Sequence, residues 1–389
     1  MDFLKALVTK APFIITFFWA TTVGVSMLKR KSWFKAPLFI FLVFSMVALL
    51  AGSAFVSGQY TLFRWLYFPA SFMSLSMFPT YYLYIASLTS EKGLTRSRWL
   101  KHLIIPISHA ALAGVVFIIL MDHESRIFWV ERCLTGMVEP EGLFRFALNM
   151  DNYFRKLFLG MAIVYYIQTD KIIYKHRISL GQYFSNTETA DIKWFPALRV
   201  AFFLTLLAAF FHFTTSRHAT LEYEILPVLS YSLLSVFFWI TGYFSQGQQR
   251  IYPPENTDDD VQEQVHATLS NEQYSTLARE LEKIMAEQKI FTQRDLTLPG
   301  LSRILGTNRT YLSRLFNEHL HISFNHYINQ KRVEYVSSLL DHEKQEKDIR
   351  DIWVMCGFNS ASSFYRWFHT FKGTSPLAYR ERVRKQQDQ

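Results

Sequence analysis

Apolar residues run through the first 250 positions in long blocks and then give way to a helical period. A helix that crosses a bilayer needs about 20 mostly apolar residues, because its backbone polar groups must pair within the segment. Six stretches meet that requirement directly: 12–28, 36–56, 67–88, 102–121, 194–214 and 225–244. A seventh has only an eleven-residue apolar core, 157–167, so its helix must extend back through Asp151 and Arg155 toward Leu143. The first block is long, is followed by Lys29-Arg30-Lys31 and has no Ala-x-Ala site after it, so an uncleaved span is expected. Seven spans are therefore predicted.

Between 245 and 268 the text turns polar, with Tyr252-Pro253-Pro254 and an Asp run at 258–260. Proline there cannot continue a helix, and a flexible cytoplasmic linker is expected. From Ser270 a helical period returns, opened by a capping box with Gln273 and carrying the stripe Tyr274, Leu277, Leu281, Ile284. Residues 296–320 then read as two short helices meeting at Gly306-Thr307. The first points Leu298, Leu301, Ile304 and Leu305 inward, and Thr307 or Asn308 caps the second. The second buries Tyr311, Leu312, Leu315 and Phe316. A longer helix, 323–340, follows. The same grammar recurs at 348–373, where Ile349, Ile352 and Met355 face inward and Gly357-Phe358-Asn359 turns. Ser360 then opens a helix that buries Phe364, Phe368 and Phe371. Two helix-turn-helix patterns about 50 residues apart are far more specific than one.

Charge agrees with this division. Residues 1–250 hold 36 charged side chains and residues 251–389 hold 37, so the deficit lies in the first part. This excludes a single soluble domain and a disordered chain, and two cysteines cannot build a disulfide framework. Lys and Arg collect in the first, third and fifth connections: Lys29 to Lys35, Lys92 to Lys101, and Lys171 to Lys193. By the positive-inside rule those face the cytoplasm, the N-terminus lies outside and the C-terminal part inside. Cys133 and Cys356 then fall on opposite sides and cannot pair with each other. Cys133 remains either a free thiol or a link between two subunits. No zinc spacing, Gly-rich phosphate loop or Gly-x-Ser-x-Gly elbow is present, so no metal, cofactor or catalytic residue is expected.

A helix in the major groove reads base edges with its outward side chains. In the first unit these are Asn308, Arg309, Thr310, Ser313 and Arg314, and in the second Ser360, Ser362, Ser363, Arg366 and His369. Arg314 and Arg366 stand in matching places, two residues before Phe316 and Phe368. Arg314 could instead pair with Glu318, and Ser360 could be only a cap. Lys372, Arg382, Arg384 and Lys385 read as phosphate contacts, while Arg380 is open between that role and a buried one. An 18-residue joining helix is about 27 Å long, which suits two grooves one turn apart and hence a bipartite site. Residues 269–389 carry 18 Lys+Arg against 14 Asp+Glu, so one copy binds modestly and homodimers are expected. Within the spans, Asp151 and Arg155 either neutralise each other at i and i+4 or take part in ligand sensing. The outer groups Asp122, His123, Glu124, His212, His218, Glu222 and Glu224 read as solvated helix ends or as a cation or proton sensor.

Residues 296–381 resemble the DNA-binding domain of AraC-type transcriptional regulators, through YLSRLFNE at 311–318, SFNHYINQKRV at 323–333, GFNSASSFYRWF at 357–368 and GTSPLAYR at 373–380. Trp353 and Val336 depart from the small residues usual there. The string YFSNTETADIKWF, 183–195, more loosely resembles the loop before the sixth span of seven-span sensors carried by some bacterial AraC-type proteins. The resemblance places base contacts on the same two helices. It implies an all-α fold: a seven-transmembrane helical bundle (1–244), the linker (245–268) and an AraC-type domain (269–389).

The function expected is that of a one-component transcriptional regulator in a bacterial cytoplasmic membrane. It would bind double-stranded DNA under control of a small-molecule or membrane signal that the sequence does not name, and activation or repression stays open. The alternative is a transporter or membrane enzyme with an appended regulatory or docking domain. Scattered intramembrane charges and an odd span count without visible repeat disfavour it.

Overall fold

The structure, a computed structural model of the full chain, describes residues 2–89, 96–187, 195–214, 225–247, 269–342 and 348–387. Most of the linker (248–268) lies outside these residues, as do Lys92, Lys193, His218, Glu222, Glu224 and the second half of the 183–195 string. The chain divides into two units, Met1–Ile173 with Ile192–Arg250, and Tyr174–Asp191 with Ile251–Gln389. Residues 174–191, read as part of the apolar domain, group with the C-terminal unit.

The first unit is built from α1 (Asp2–Arg30), α2 (Ala36–Val56), α3 (Tyr60–Thr89) and α4 (Arg96–Gly114, extended by a wider turn to Leu120). The short α5 (His123–Phe128) and the long α6 (Gly142–Tyr183) follow, then α7 (Phe195–Thr214) and α8 (Ile225–Gly247). Among the described residues, seven long helices thus coincide with the seven apolar stretches. Four segments among them, Leu7–Lys29, Trp33–Val56, Ser97–Leu120 and Val228–Gln246, are long and apolar enough to cross a membrane. Their outer faces stay apolar: Ile104, Ile118 and Ile119 of α4, for example, point away from the protein. Such a surface suits lipid rather than water.

The packing is aromatic. Trp19, Phe41, Tyr81, Tyr84, Phe237 and Phe238 form one cluster. Tyr67, Phe117 and Trp129 form another, with ring centroids 4.5–5.0 Å apart. α1 and α8 approach closely because residue 242 is glycine. A Cβ there would sit 2.2 Å from the Trp19 ring. Lys35 Nζ donates to Ser245 O at 2.8 Å, so a buried cation satisfies a carbonyl in the last turn of α8. Ser87 Oγ donates to Phe34 O at 2.8 Å. The ends of α3 and α8 therefore meet the connection after α1, as alternating helix directions require.

Asp151 is buried on α6, its carboxylate 3.2 Å from Arg155 Nε and 3.0 Å from the Tyr67 hydroxyl. The pair is thus engaged within the bundle. Asp122 accepts the Ser125 N–H at 2.8 Å and caps α5. Cys133 is buried beside Trp129 with a free thiol, which leaves it no surface from which to bridge two subunits.

The second unit contains α9 (Asn271–Gln288), α10 (Leu298–Ile304), α11 (Arg309–Arg314, extended by a wider turn to His319) and α12 (Phe324–Asp341), then α13 (Ile349–Met355), α14 (Ala361–Lys372) and α15 (Pro376–Gln387). The Ser270–Gln273 capping box is present, with both reciprocal bonds made. α9 buries Tyr274, Leu277, Leu281 and Met285. Glu282 ties it to α12, accepting from the Tyr327 hydroxyl at 2.8 Å and from Lys331 Nζ at 2.7 Å.

We expect Gly242→Val to destabilise the full-length protein by about 1–3 kcal/mol through overpacking against Trp19. Gly160→Ala, where a Cβ meets nothing within 4 Å, should be neutral. Thermal unfolding in detergent compares the two.

Candidate DNA-binding surface

Each short helix of the C-terminal unit begins with a side-chain cap. Thr297 Oγ1 accepts from Gly300 N at α10, Asn308 Oδ1 from Tyr311 N at α11, and Ser360 Oγ from Ser363 N at α14. Asn308, and not Thr307, is therefore the cap of the second helix. The turn between α10 and α11 passes through Gly306 at φ 64°, and that between α13 and α14 through Gly357 at φ 88°. Gly357 is required twice over, because a Cβ would also lie 2.5 Å from the carbonyl oxygen of Thr292. The backbone of the second turn thus rests on the segment that leads into the first helix-turn-helix.

Two inward assignments need correction. Ile304 is 41% exposed and Met355 47% exposed. Both occupy the same place, two residues before the turn glycine. The inward stripes run Leu298, Leu301 and the partly buried Leu305, and Ile349, Ile352 and Cys356, spaced i, i+3, i+7, so Ile304 and Met355, both at i+6, fall off that face. Cys356 is fully buried, and its thiol is raised to about 12 by desolvation. Val336 and Trp353 both pack in the second core cluster, Val336 fully buried and Trp353 partly.

At the surface, α14 presents Ser362, Arg366 and His369 fully outward, with Tyr365 and Thr370 beside them. Tyr365 and Thr370 were missed because an aromatic and a threonine next to the buried Phe364 and the partly buried Phe371 look like core at the level of pattern. Arg366 lies 5.8 Å over the Trp367 ring. Ser363 is buried, its amide consumed by the Ser360 cap. On α11, Thr310, Ser313 and Arg314 are half-exposed, and Asn317 extends that face by donating to Ser313 Oγ at 3.2 Å. Burial raises the nearby Tyr274 phenol, with the Arg314 charge opposing. Arg309 points inward at 9% exposure, its guanidinium 5.5 Å from the Tyr183 ring. Arg382, Arg384 and Lys385 are exposed on α15 and Lys372 is half-exposed, whereas Arg380 is buried.

Arg332 lies at the centre of this unit, fully buried. Its Nε donates to Phe291 O at 2.7 Å and its Nη2 to Gln293 O at 2.8 Å, while Nη1 donates to Asn329 Oδ1 at 3.3 Å. The guanidinium also lies 5.7 Å over the Phe358 ring of the second turn. Burial lowers it to about 10, so it stays charged at neutral pH.

The described part of the bundle includes a cavity fit for a small molecule. This cavity of about 230 Å³, open at its mouth, is lined by apolar side chains including Leu49, Phe158, Phe202 and Leu234, with the Ser230 and Tyr231 side chains among them. Among the described residues no three His, Cys, Asp or Glu gather as a metal site.

Two helix pairs, each with a short capped second helix showing a polar face, define a tandem helix-turn-helix protein. Residues 301–382 match the family described as a helix-turn-helix domain. An HTH-type transcriptional regulator of Staphylococcus aureus (strain COL) is 38% identical over 86 residues, 22% of this chain and 11% of the relative. The melibiose operon regulatory protein of Escherichia coli (strain K12) is 31% identical over 86 residues, 22% of this chain and 28% of the relative. The chain therefore matches only about a tenth to a quarter of the length of these relatives. No solved structure matches. The C-terminal unit carries an AraC-type helix-turn-helix domain, preceded by a helical region of apolar helices.

Arg332→Met should destabilise this unit by about 3–5 kcal/mol, because the Phe291 and Gln293 carbonyls lose a buried charged donor. Hydrogen exchange of the α12 amides in the full-length protein reads the loss. Arg366→Ala should cost about 1–3 kcal/mol of discrimination at one base pair. Arg384→Ala should leave base preference intact and lower the slope of log affinity against log salt by about one.

Proposed function

We propose that this protein is a membrane-bound one-component transcriptional regulator of a bacterial cytoplasmic membrane. In this reading the seven long helices cross the bilayer with the N-terminus outside. The AraC-type domain lies in the cytoplasm and reads double-stranded DNA through α11 and α14 as a bipartite site. The observation that carries the reading is the outward face of α14, with Ser362, Arg366 and His369 on a capped helix of a chain whose other half is built from long apolar helices. Arg314 on α11 supplies the matching contact in the first unit, and Lys372, Arg382, Arg384 and Lys385 hold phosphates. The low net charge of the domain favours homodimers, whose second copy adds affinity by bivalency.

Sensing is assigned to the apolar bundle. Its open apolar cavity suits a lipophilic molecule arriving from the membrane. Asp151 and Arg155, already bonded to each other and to Tyr67, serve better to hold α6 against α3 than to bind a ligand. A signal acts by binding one arrangement of the bundle better than another.

Genome-wide DNA occupancy in intact cells tests the reading, with wild type compared to an Arg314→Ala, Arg366→Ala double variant. Discrete peaks sharing a two-part motif should appear in wild type and vanish in the variant. Absence of peaks with the protein correctly inserted would sink it and favour an active role for the membrane part alone.

A further inference from the structure

The 183–186 segment follows directly from α6 and lies more than 100 residues before the matched helix-turn-helix domain, yet it is built into that domain's core. Ser185 is fully buried. Its amide donates to Leu296 O at 3.1 Å, and Phe184 pairs with Thr297 as an isolated antiparallel bridge. Three side chains of α12 converge on it. Asn325 Nδ2 donates to Ser185 O at 2.7 Å and Phe184 O at 3.1 Å, Asn329 Nδ2 to Ser185 O at 3.0 Å, and Arg332 Nη2 to Ser185 Oγ at 3.3 Å. Asn186 Nδ2 adds a bond to Arg294 O at 3.3 Å. Asn325, Asn329 and Arg332 are themselves buried, so each requires a partner. A connection that merely spanned two helices would not hold a buried serine among three buried donors.

The same segment reaches the candidate recognition helix. Tyr183, the last residue of α6, lies 5.5 Å from the guanidinium of Arg309, the first residue of α11. Arg309 stands where a recognition helix presents its N-terminal side chains to bases, but here it is turned away from solvent.

We propose that residues 183–186 form an inhibitory strap: docked in the Asn325–Asn329–Arg332 cradle, they hold Arg309 under Tyr183 and out of reach of DNA, and their release permits tight binding. The proposal rests on the reading of α11 as a DNA-recognition helix and deepens it by naming the element that controls it. Because the strap continues α6, a movement of that helix is the input. The output is the Arg309 side chain. The two arrangements differ by a definite set of hydrogen bonds, as a switch requires.

The test uses the full-length protein in lipid nanodiscs carrying Phe184→Cys and Thr297→Cys. The Ser185 N to Leu296 O bond makes this a non-hydrogen-bonded antiparallel pair, in which side chains approach most closely. The native Cys133 and Cys356 are buried and are retained. The DNA is a fluorescent 40-base-pair duplex selected from a random-sequence pool by the reduced protein. Oxidation should form the cross-link and weaken binding about tenfold, the loss of one good arginine contact, and reduction should restore it. Tyr183→Ala should bind more tightly than wild type, and adding Arg309→Ala to the cysteine pair should abolish the difference between oxidised and reduced protein. Failure of the cross-link to form, or equal affinity once formed, overturns the strap and leaves the DNA-binding reading standing. A reduced protein that selects no duplex overturns both.

Discussion

A guanidinium with no access to water is the constraint around which the C-terminal unit is arranged. Removing an arginine from water costs several kcal/mol unless its donors are used, so the residues around Arg332 are held to positions that use them. The Phe291 and Gln293 carbonyls lie in the segment leading into α10, Asn329 lies one turn back on α12, and Phe358 covers the flat face from the second turn. One side chain therefore sets both helix pairs against the helix that joins them. Gly357 reinforces the arrangement, since only a residue without a Cβ lets the second turn rest on Thr292. The spacing of α11 and α14, on which the proposed two-part DNA site depends, follows from this packing.

Much of that architecture was legible in the sequence because short helices announce their ends chemically. Ser270, Asn308 and Ser360 each stand where a cap must, and the observed helices fall within the two units expected at 296–320 and 348–373. The errors came from seven-residue helices, which are too short for a stripe to average out. Ile304 and Met355 are apolar and near the right phase, yet the phase belongs to Leu305 and Cys356. Arg309 and Ser363 read as outward by helical register. Each is claimed by a partner that register cannot reveal, Tyr183 from 126 positions upstream in one case and a capping serine in the other.

The apolar half was legible for a different reason. Long apolar blocks specify long helices, so the seven stretches emerge as seven long helices among the described residues even where Asp151 and Arg155 interrupt one of them. Packing partners were not legible. That Gly242 admits Trp19, that Lys35 reaches Ser245, and that 183–186 belongs with the DNA-binding unit are all long-range pairings with no periodic signature. The string at 183–195 carries a resemblance in its text, but the burial of Ser185 is a three-dimensional property with no mark in the pattern.

The central claim is that two recognition helices, fixed to one another through Arg332, act together on DNA. Hydroxyl-radical footprinting of the full-length protein on a selected duplex tests it most directly. The account predicts two protected segments on one face of the duplex, centred about one helical turn apart, both lost in Arg332→Met. A single protected segment, or two whose spacing survives that substitution, would contradict it.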